Sequence, residues 1–183
     1  PGRTDPDVAH REFETINASR VQGATAPTVH GVGNVPPGDA FIVMTRVEGD
    51  ANPRPLLRDP RFERARAAII PQLAEALTRI HQVPRDALDV ELSGPAPGQD
   101  PILYQCEALE AKYLEDRLER HPVIEWGLRW VARRATTHQV TPEVTLVHGD
   151  YRIGNVLYDE DGLTAVLDWE GTHLGEPLEN LAW

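Results

Sequence analysis

Apolar residues recur every three or four positions over 61–82, a spacing that predicts one long helix with a single buried face. The apolar members of this stripe are Phe62, Ala65, Ile69, Leu73, Leu77 and Ile80. Pro71 lies inside the stripe and is expected to kink the helix, because proline cannot donate a backbone hydrogen bond. Shorter apolar patterns of the same period predict three further helices, over 7–22, 102–120 and 122–138.

Short runs rich in β-branched and aromatic residues predict strands near both ends of the chain. The predicted strands are 28–32, 40–47, 144–147, 155–158 and 163–167. A Pro/Gly-rich turn is expected at 33–39, and an Asp-Gly hairpin turn closes Asp159–Gly162. The proline-rich stretch 48–60 is interpreted as a connector and as the best candidate for a boundary between two lobes.

Charge and cysteine content exclude several classes of protein. The 183 residues carry 18 basic and 29 acidic side chains, a formal net charge of −11, so nucleic acid or a membrane surface is not an expected partner. Cys106 is the single cysteine, which rules out an internal disulfide and a multi-cysteine zinc site. With no apolar run of about 18 residues and no leader-like pattern, a cytoplasmic protein is expected.

Lysine is almost missing, since Lys112 is the only one among the 18 basic residues. Tyr113 follows Lys112, so the Gly-Lys-Ser/Thr sequence of a P-loop is not present. The preference for arginine suggests a GC-rich bacterial genome. The chain opens at Pro1 and its only methionine is Met44, which led us to expect a piece of a longer protein.

The candidate chemistry lies in the last forty residues. His148-Gly149-Asp150-Tyr151-Arg152-Ile153-Gly154-Asn155 has the His-x-Asp-x-x-x-x-Asn spacing of a kinase catalytic loop, and Asp168-Trp169-Glu170 follows across a hairpin. Phosphoryl transfer needs a carboxylate that receives the acceptor proton, and Asp150 suits that role. Asn155 and Asp168 offer hard oxygen ligands for Mg²⁺, and Arg152 can spread the charge of the phosphoryl group. His148 is interpreted as the residue that orients the loop.

These residues carry a family resemblance. Leu146–Leu157 (LVHGDYRIGNVL) and Ala165–Trp183 (AVLDWEGTHLGEPLENLAW) resemble the aminoglycoside phosphotransferase family, and most of all its branch of acyl-CoA dehydrogenase-associated kinases. The resemblance implies an α+β, protein-kinase-like two-lobe fold, with Asp150 as catalytic base, Asn155 and Asp168 as magnesium ligands, and ATP as phosphoryl donor. Glu176 and Asn180 stand where the family has aspartate, and we expect them to affect helix docking rather than chemistry.

The same resemblance extends to the first fifty residues with less specific motifs. It implies that Glu12 is the glutamate of the small-lobe helix that pairs with an ATP-binding lysine. It also implies that the segment containing Met44, Thr45 and Val47 is the last small-lobe strand and the hinge that contacts adenine. The implied domains are a partial nucleotide-binding lobe at 1–47 and a catalytic lobe at 48–183, truncated at its C-terminal end.

The fold is therefore expected to be incomplete, with a helix and two strands in the small lobe and a mainly helical large lobe carrying the catalytic-loop hairpin. No lysine precedes Glu12, and Gly31–Pro36 is interpreted as a turn and not as a glycine-rich loop. The expected function is ATP- and Mg²⁺-dependent phosphorylation of a small-molecule hydroxyl, with little activity for this piece alone. Two alternatives stay open: a nucleotide-binding pseudokinase-like module, and a metal-dependent hydrolase that uses His148, Asp150 and Asp168. The sequence leaves the acceptor and the oligomeric state undetermined.

Overall fold

Prolines open most of the helices. The structure, a computed structural model, describes residues 5–36, 38–137 and 143–181. Its α-helices are α1 (Pro6–Val21), α2 (Pro53–Arg58), α3 (Glu63–His81), α4 (Pro101–Asp116) and α5 (Pro122–Ala135). Proline suits the first helical position, since its fixed φ is already helical and its missing N–H would have no partner there. The side chains of Asp5, Asn52 and Asp100 cap α1, α2 and α4.

Six short strands form three antiparallel pairs. They are β1 (Val29–Val35), β2 (Asp39–Met44), β3 (Thr145–Val147), β4 (Val156–Tyr158), β5 (Leu163–Val166) and β6 (His173–Gly175). β1 pairs with β2, β4 with β5, and β3 with β6, which is distant in sequence. The predicted hairpin after the catalytic loop is therefore confirmed, whereas β6 was not predicted.

The predicted turn at 33–39 is wrong in its first half. Gly33, Asn34 and Val35 belong to β1 and pair with Phe41, Ala40 and Asp39. Gly33 suits this position because the ring of Phe41 lies over it, where a Cβ would approach the ring carbon Cζ to 2.7 Å. The reversal itself lies near Gly38, at φ 122°, and Pro37 lies outside the described residues. The second predicted strand also ends early, at Met44.

The connector is more ordered than its proline content indicated, because it contains α2 and is fixed to the catalytic hairpin. The hydroxyl of buried Tyr158 donates to the carbonyl of Asn52 at 2.6 Å and accepts from the backbone N–H of Leu56 at 3.1 Å. Backbone hydrogen bonds of 2.8 and 3.0 Å join Asp50 to Tyr158. The Phe62 ring meets the Tyr158 ring edge-on, with centroids 5.1 Å apart. These contacts hold the start of α3 against β4.

One hydrophobic core joins the first helix to the segments around the two candidate motifs. Ile16 of α1 and Ile80 of α3 pack in the same buried cluster as Leu146, Val166 and Trp169. α3 runs unbroken through Pro71 and buries Ala65, Ile69, Leu77 and Ile80, members of the predicted stripe. α5 ends at Ala135 and is followed by a turn at Thr136 and Thr137, so the predicted helix 122–138 is too long; His138 lies outside the described residues. No helix in the described ranges has the length and apolarity that a membrane crossing requires.

Candidate active site

Hydrogen bonds from the protein use both ring nitrogens of His148. The side chain follows β3 and is fully buried between the rings of Tyr151 and Trp169. Its Nε2 lies 3.0 Å from the carbonyl oxygen of Leu167, and its Nδ1 accepts from the backbone N–H of Asp150 at 3.3 Å. Since one nitrogen donates and the other accepts, the ring is neutral, and burial lowers its pKa to about 4. A nitrogen used in this way is not available to a metal, which argues against the hydrolase alternative.

The carboxylate of Asp150 is fixed from two sides. The Arg152 guanidinium Nε lies 3.0 Å from Oδ1 and 3.1 Å from Oδ2, and the amide nitrogen of Asn155 donates to Oδ2 at 2.6 Å. Burial raises the pKa of Asp150, but these hydrogen bonds outweigh it and leave the pKa below its ordinary value. Asp150 is therefore ionised at neutral pH and can accept a proton or a hydrogen bond.

Asn155 and Asp168 are brought together by the ends of β4 and β5. The carbonyl oxygen of Asn155 accepts the backbone N–H of Leu167 at 2.8 Å, directly before Asp168. The nitrogen of the Asn155 amide is directed at Asp150, which leaves its Oδ1 as the atom that a cation can use. Asp168 is exposed and has φ 66°, the only positive φ of a non-glycine residue among the described positions. Two oxygen donors thus stand at adjacent strand ends, as the spacing predicted.

Glu12 also reaches this site. Its carboxylate accepts a hydrogen bond from the backbone N–H of Trp169, in the one-turn helix that follows Asp168. Burial raises the pKa of Glu12, and the negative charges of Glu170 and Asp168 raise it further. Three carboxylates therefore face a common region, an arrangement that a cation would stabilise.

The three predicted hinge residues lie at the end of β2 and just after it. Met44 ends β2 with 38% of its surface exposed, and Val47 is half-buried. The backbone N–H of Thr45 donates to the carbonyl of Thr28, just before β1, and its hydroxyl lies 2.7 Å from the ring nitrogen Nε2 of His30, in β1. No hydrogen bond in the described part of the chain joins these three to Asp150, Asn155 or Asp168, and their contact with adenine stays a prediction.

A sequence model of the phosphotransferase enzyme family matches residues 1–183. The chain belongs to this family. Acyl-CoA dehydrogenase family member 10 of Mus musculus is 30% identical over 178 residues, which are 94% of this chain and 16% of that protein. Member 11 of Rattus norvegicus is 30% identical over 151 residues, 79% of this chain and 18% of that protein. The chain thus spans less than a fifth of these two curated relatives.

Solved structures show the fold of this phosphotransferase family member. A Ralstonia eutropha protein solved as a candidate aminoglycoside phosphotransferase has TM-score 0.72 and 22% identity, over 96% of this chain and 54% of its own. APH(4)-Ia, solved as a ternary complex with ADP and hygromycin B, has TM-score 0.69 and 16% identity, over 94% of this chain and 59% of its own. The predicted family resemblance and the α+β, kinase-like fold class are confirmed.

Sequence reasoning misjudged Asn180 in this phosphotransferase chain. The side chain is 2% exposed, and its Oδ1 accepts the backbone N–H of His148 at 3.0 Å. Its contact is with the catalytic loop itself, not only with a neighbouring helix. The signal was present in the second motif, where Asn180 stands between Glu179 and Leu181 at the position of a family aspartate. Ala182 and Trp183, which end that motif, lie outside the described residues.

A pair of glycines lets the two motifs of the candidate site touch. Gly149 has φ 84°, and a Cβ built on it would meet the carbonyl oxygen and backbone carbons of Gly171. We expect Gly149→Ala to lower the free energy of unfolding by more than about 2 kcal/mol, because the left-handed conformation alone costs roughly 1–2 kcal/mol. Urea denaturation followed by circular dichroism measures the change.

Gly98→Ala is the matched control for this substitution. Gly98 has φ 83°, almost the same conformation, but a Cβ there meets nothing within 4 Å. The difference between the two variants isolates the contact with Gly171. Equal losses of stability would show that the backbone conformation, and not the approach of the two motifs, requires glycine at 149.

Proposed function

We propose that the chain carries the catalytic centre of a phosphotransferase that moves the γ-phosphate of ATP to a hydroxyl group of a small molecule. The observation that supports this most is the Asp150 carboxylate, ionised and held by Arg152 and by Asn155, whose backbone is bonded to the residue before Asp168. This arrangement presents a proton acceptor next to two oxygen donors suited to Mg²⁺. Family membership supports the reaction class.

The site residues fit magnesium. Asn155 and Asp168 would hold the ion through hard oxygen atoms, and the ion would supply positive charge against the phosphate oxygens. No set of three His, Cys, Asp or Glu side chains in the described ranges is arranged as a metal cage. That agrees with Mg²⁺, which binds through one or two protein oxygens and completes its shell with phosphates and water. The mutual repulsion of Glu12, Asp168 and Glu170 further favours a cation here.

Each residue then has a defined part in the transfer. The acceptor hydroxyl donates its proton to Asp150 as its oxygen forms the new bond to the γ-phosphorus, and the bond from that phosphorus to the bridging oxygen of ADP breaks. Arg152, beside Asp150, lies where its guanidinium can stabilise negative charge on the moving phosphoryl group. His148 acts as a positioning residue, since its buried neutral ring joins the loop backbone at Asp150 to the backbone of Leu167, the residue before Asp168.

The acceptor class is supported by the relatives. APH(4)-Ia was solved with ADP and hygromycin B, and APH(2")-IIIa was solved with GDP and kanamycin, so both bind a nucleotide and a hydroxylated small molecule. For this chain we infer a small-molecule hydroxyl acceptor and ATP as donor. Cytoplasmic location and bacterial origin stay predictions from composition.

We assign residues 1–47 to the nucleotide-binding lobe and residues 48–183 to the catalytic lobe. In this assignment Glu12 faces the phosphates from α1, and Met44, Thr45 and Val47 border adenine. Lys112, the single lysine, lies on α4 with its ammonium 3.5 Å from Asp116, so it does not serve Glu12. That observation favours a second candidate for the chain taken alone, nucleotide binding without transfer.

Consumption of ATP tests the proposal and separates the two candidates. The protein that carries this chain is incubated with Mg²⁺, ATP and a panel of aminoglycosides, amino alcohols and hydroxyacyl compounds, and ADP release is followed. Release that requires both Mg²⁺ and one acceptor class supports phosphotransfer. Calorimetric binding of Mg·ATP with no release for any acceptor would instead establish the binding module. Absence of both would overturn the assignment of this site.

A further inference from the structure

His173 lies between two oxygen acceptors. It belongs to β6, and 12% of its side chain is exposed. Its Nδ1 lies 2.8 Å from the carbonyl oxygen of Gly171, and its Nε2 lies 3.2 Å from Oε2 of Glu179. A carbonyl oxygen and a carboxylate can only accept hydrogen bonds. Both contacts are therefore hydrogen bonds only when both ring nitrogens carry protons, that is, when the ring is an imidazolium.

Glu179, the acidic partner of His173, is itself held by a second hydrogen bond. Oε1 of Glu179 accepts the side-chain amide of Gln105, on α4, at 3.2 Å. Gly175 leaves room for the pair, since a Cβ there would lie 3.1 Å from Nε2 of His173 and 3.2 Å from Oε2 of Glu179. A line of polar contacts thus runs from α4 through Glu179 and His173 to the carbonyl of Gly171. We call these four residues the strut.

The far end of the strut is the turn that carries the candidate magnesium ligand. Gly171 closes the one-turn helix Trp169–Gly171, which begins immediately after Asp168. Its backbone abuts Gly149 of the catalytic loop, and the N–H of Trp169 is bound by Glu12. A displacement of Gly171 would therefore move both Asp168 and the catalytic loop.

We propose that His173, as an imidazolium between Gly171 and Glu179, is a positioning residue that holds the turn bearing Asp168. This role rests on the proposed function, in which Asp168 binds the magnesium of the nucleotide. Loss of one proton leaves a ring lone pair directed at an oxygen atom, so one end of the strut opens. The proposal assigns His173 no contact with substrate.

The surroundings of His173 favour the charged ring. Burial lowers the pKa of His173, but the hydrogen bonds to Glu179 and to the Gly171 carbonyl, together with the charge of Glu179, outweigh burial and leave the pKa above its ordinary value of 6.5. Glu179 is a charged group that contacts the ring, β3 pairs Val147 with His173, and α4 contributes the neutral Gln105, which contacts Glu179. Because the folded-state pKa is raised, the contribution to stability is complete below pH 6.5 and is lost as the pH rises through the folded-state value.

Nuclear magnetic resonance of the histidine side chains tests the strut without reference to activity. In the wild-type chain we expect His173 to carry protons on both nitrogens at pH 6.5 and to titrate above that pH. Glu179→Gln should lower the midpoint of the His173 titration. Glu115→Gln, which removes an exposed charge from α4, should leave that midpoint unchanged. A neutral ring at pH 6.5, or a midpoint that Glu179→Gln leaves unchanged, would overturn the proposal.

Binding of Mn²⁺ in the presence of ATP then tests positioning, with Mn²⁺ as the probe for Mg²⁺. His173→Asn places an amide donor near Gly171 that does not titrate, so this variant shows the pH dependence that the phosphates of ATP and Glu12 contribute. Between pH 6 and pH 9 the wild-type affinity, divided by that of His173→Asn at the same pH, should fall about five-fold, the equivalent of one hydrogen bond. A ratio that does not change with pH overturns the positioning role, whereas absence of Mn²⁺ binding at every pH overturns the proposed function instead.

Discussion

Replacement of Asp150 by alanine is expected to lower the rate of phosphoryl transfer by about 10²–10⁴, the range typical of a general base. The variant removes the carboxylate that would receive the acceptor proton. It also releases Arg152, whose Nε is bound to both carboxylate oxygens. Asn155 keeps a second anchor, because its amide nitrogen also donates to the backbone carbonyl of Asp150 at 3.0 Å. The magnesium ligands should therefore stay in place while proton transfer is lost.

Steady-state rates at saturating Mg·ATP measure this effect in the protein that carries the chain, with binding of Mg·ATP followed separately. The expected pattern is a large loss of kcat with nucleotide affinity retained. Asp86→Ala is the matched control, since it removes an exposed carboxylate from the loop before α4 and should leave the rate unchanged. A variant at Asp150 that keeps the wild-type rate would show that another group accepts the proton.

Local patterns were sufficient to predict the four long helices, α1, α3, α4 and α5, and the β4–β5 hairpin, although α4 and α5 end earlier than predicted. The helical spacing of the stripe from Phe62 to Ile80 predicts which side chains are buried, because each turn of α3 places one member of the stripe against the core. The loop from His148 to Asn155 could be predicted for a similar reason. The spacing of its polar groups is set by the geometry of one loop between two short strands. In both places, the information needed lies within a few residues of sequence.

Features that depend on distant partners were not predictable. β6 contains one apolar residue, Leu174, between His173 and Gly175, and is a strand only because β3 pairs with it. The glycines of β1 resemble a turn until Phe41 is placed over Gly33. In the connector, proline indicated a break in structure, yet Pro53 begins α2. Each outcome was decided by a contact across the fold, to which a single sequence gives no access.

The candidate site divides in the same way. The roles suggested for Asp150, Asn155 and Asp168 came from one loop and one hairpin. The structure joins the Asp150 and Asn155 side chains by a hydrogen bond and the backbone of Asn155 to that of Leu167, the residue before Asp168. Two contacts hold the site. The contact of Asn180 with His148 joins residues 32 positions apart in the sequence, and that of Glu179 with His173 joins residues 6 positions apart. Neither contact follows from the spacing of a catalytic motif, because both depend on where the segment after β6 returns to the core.

Asp168→Asn is expected to weaken binding of Mg·ATP by more than about 10–100-fold, the loss typical of residues that only orient a metal ligand. Asparagine is the informative substitution here. Asp168 has φ 66°, a conformation that asparagine adopts readily and most other residues do not. The backbone of the turn should therefore persist, and the change is confined to one negative charge and one oxygen. Calorimetry with and without Mg²⁺ measures the binding.

A second substitution separates ligation from general electrostatics. Glu170→Gln also removes a negative charge that acts on Glu12, but Glu170 is not assigned to the metal, so the loss of affinity should be much smaller. Both variants should lower the pKa of Glu12, because each removes a neighbouring carboxylate. Equal losses of Mg·ATP affinity would mean that the ion responds to the charge of the whole cluster. An unchanged affinity in Asp168→Asn would place the metal elsewhere, because the loss of a direct ligand cannot leave the binding free energy unaltered.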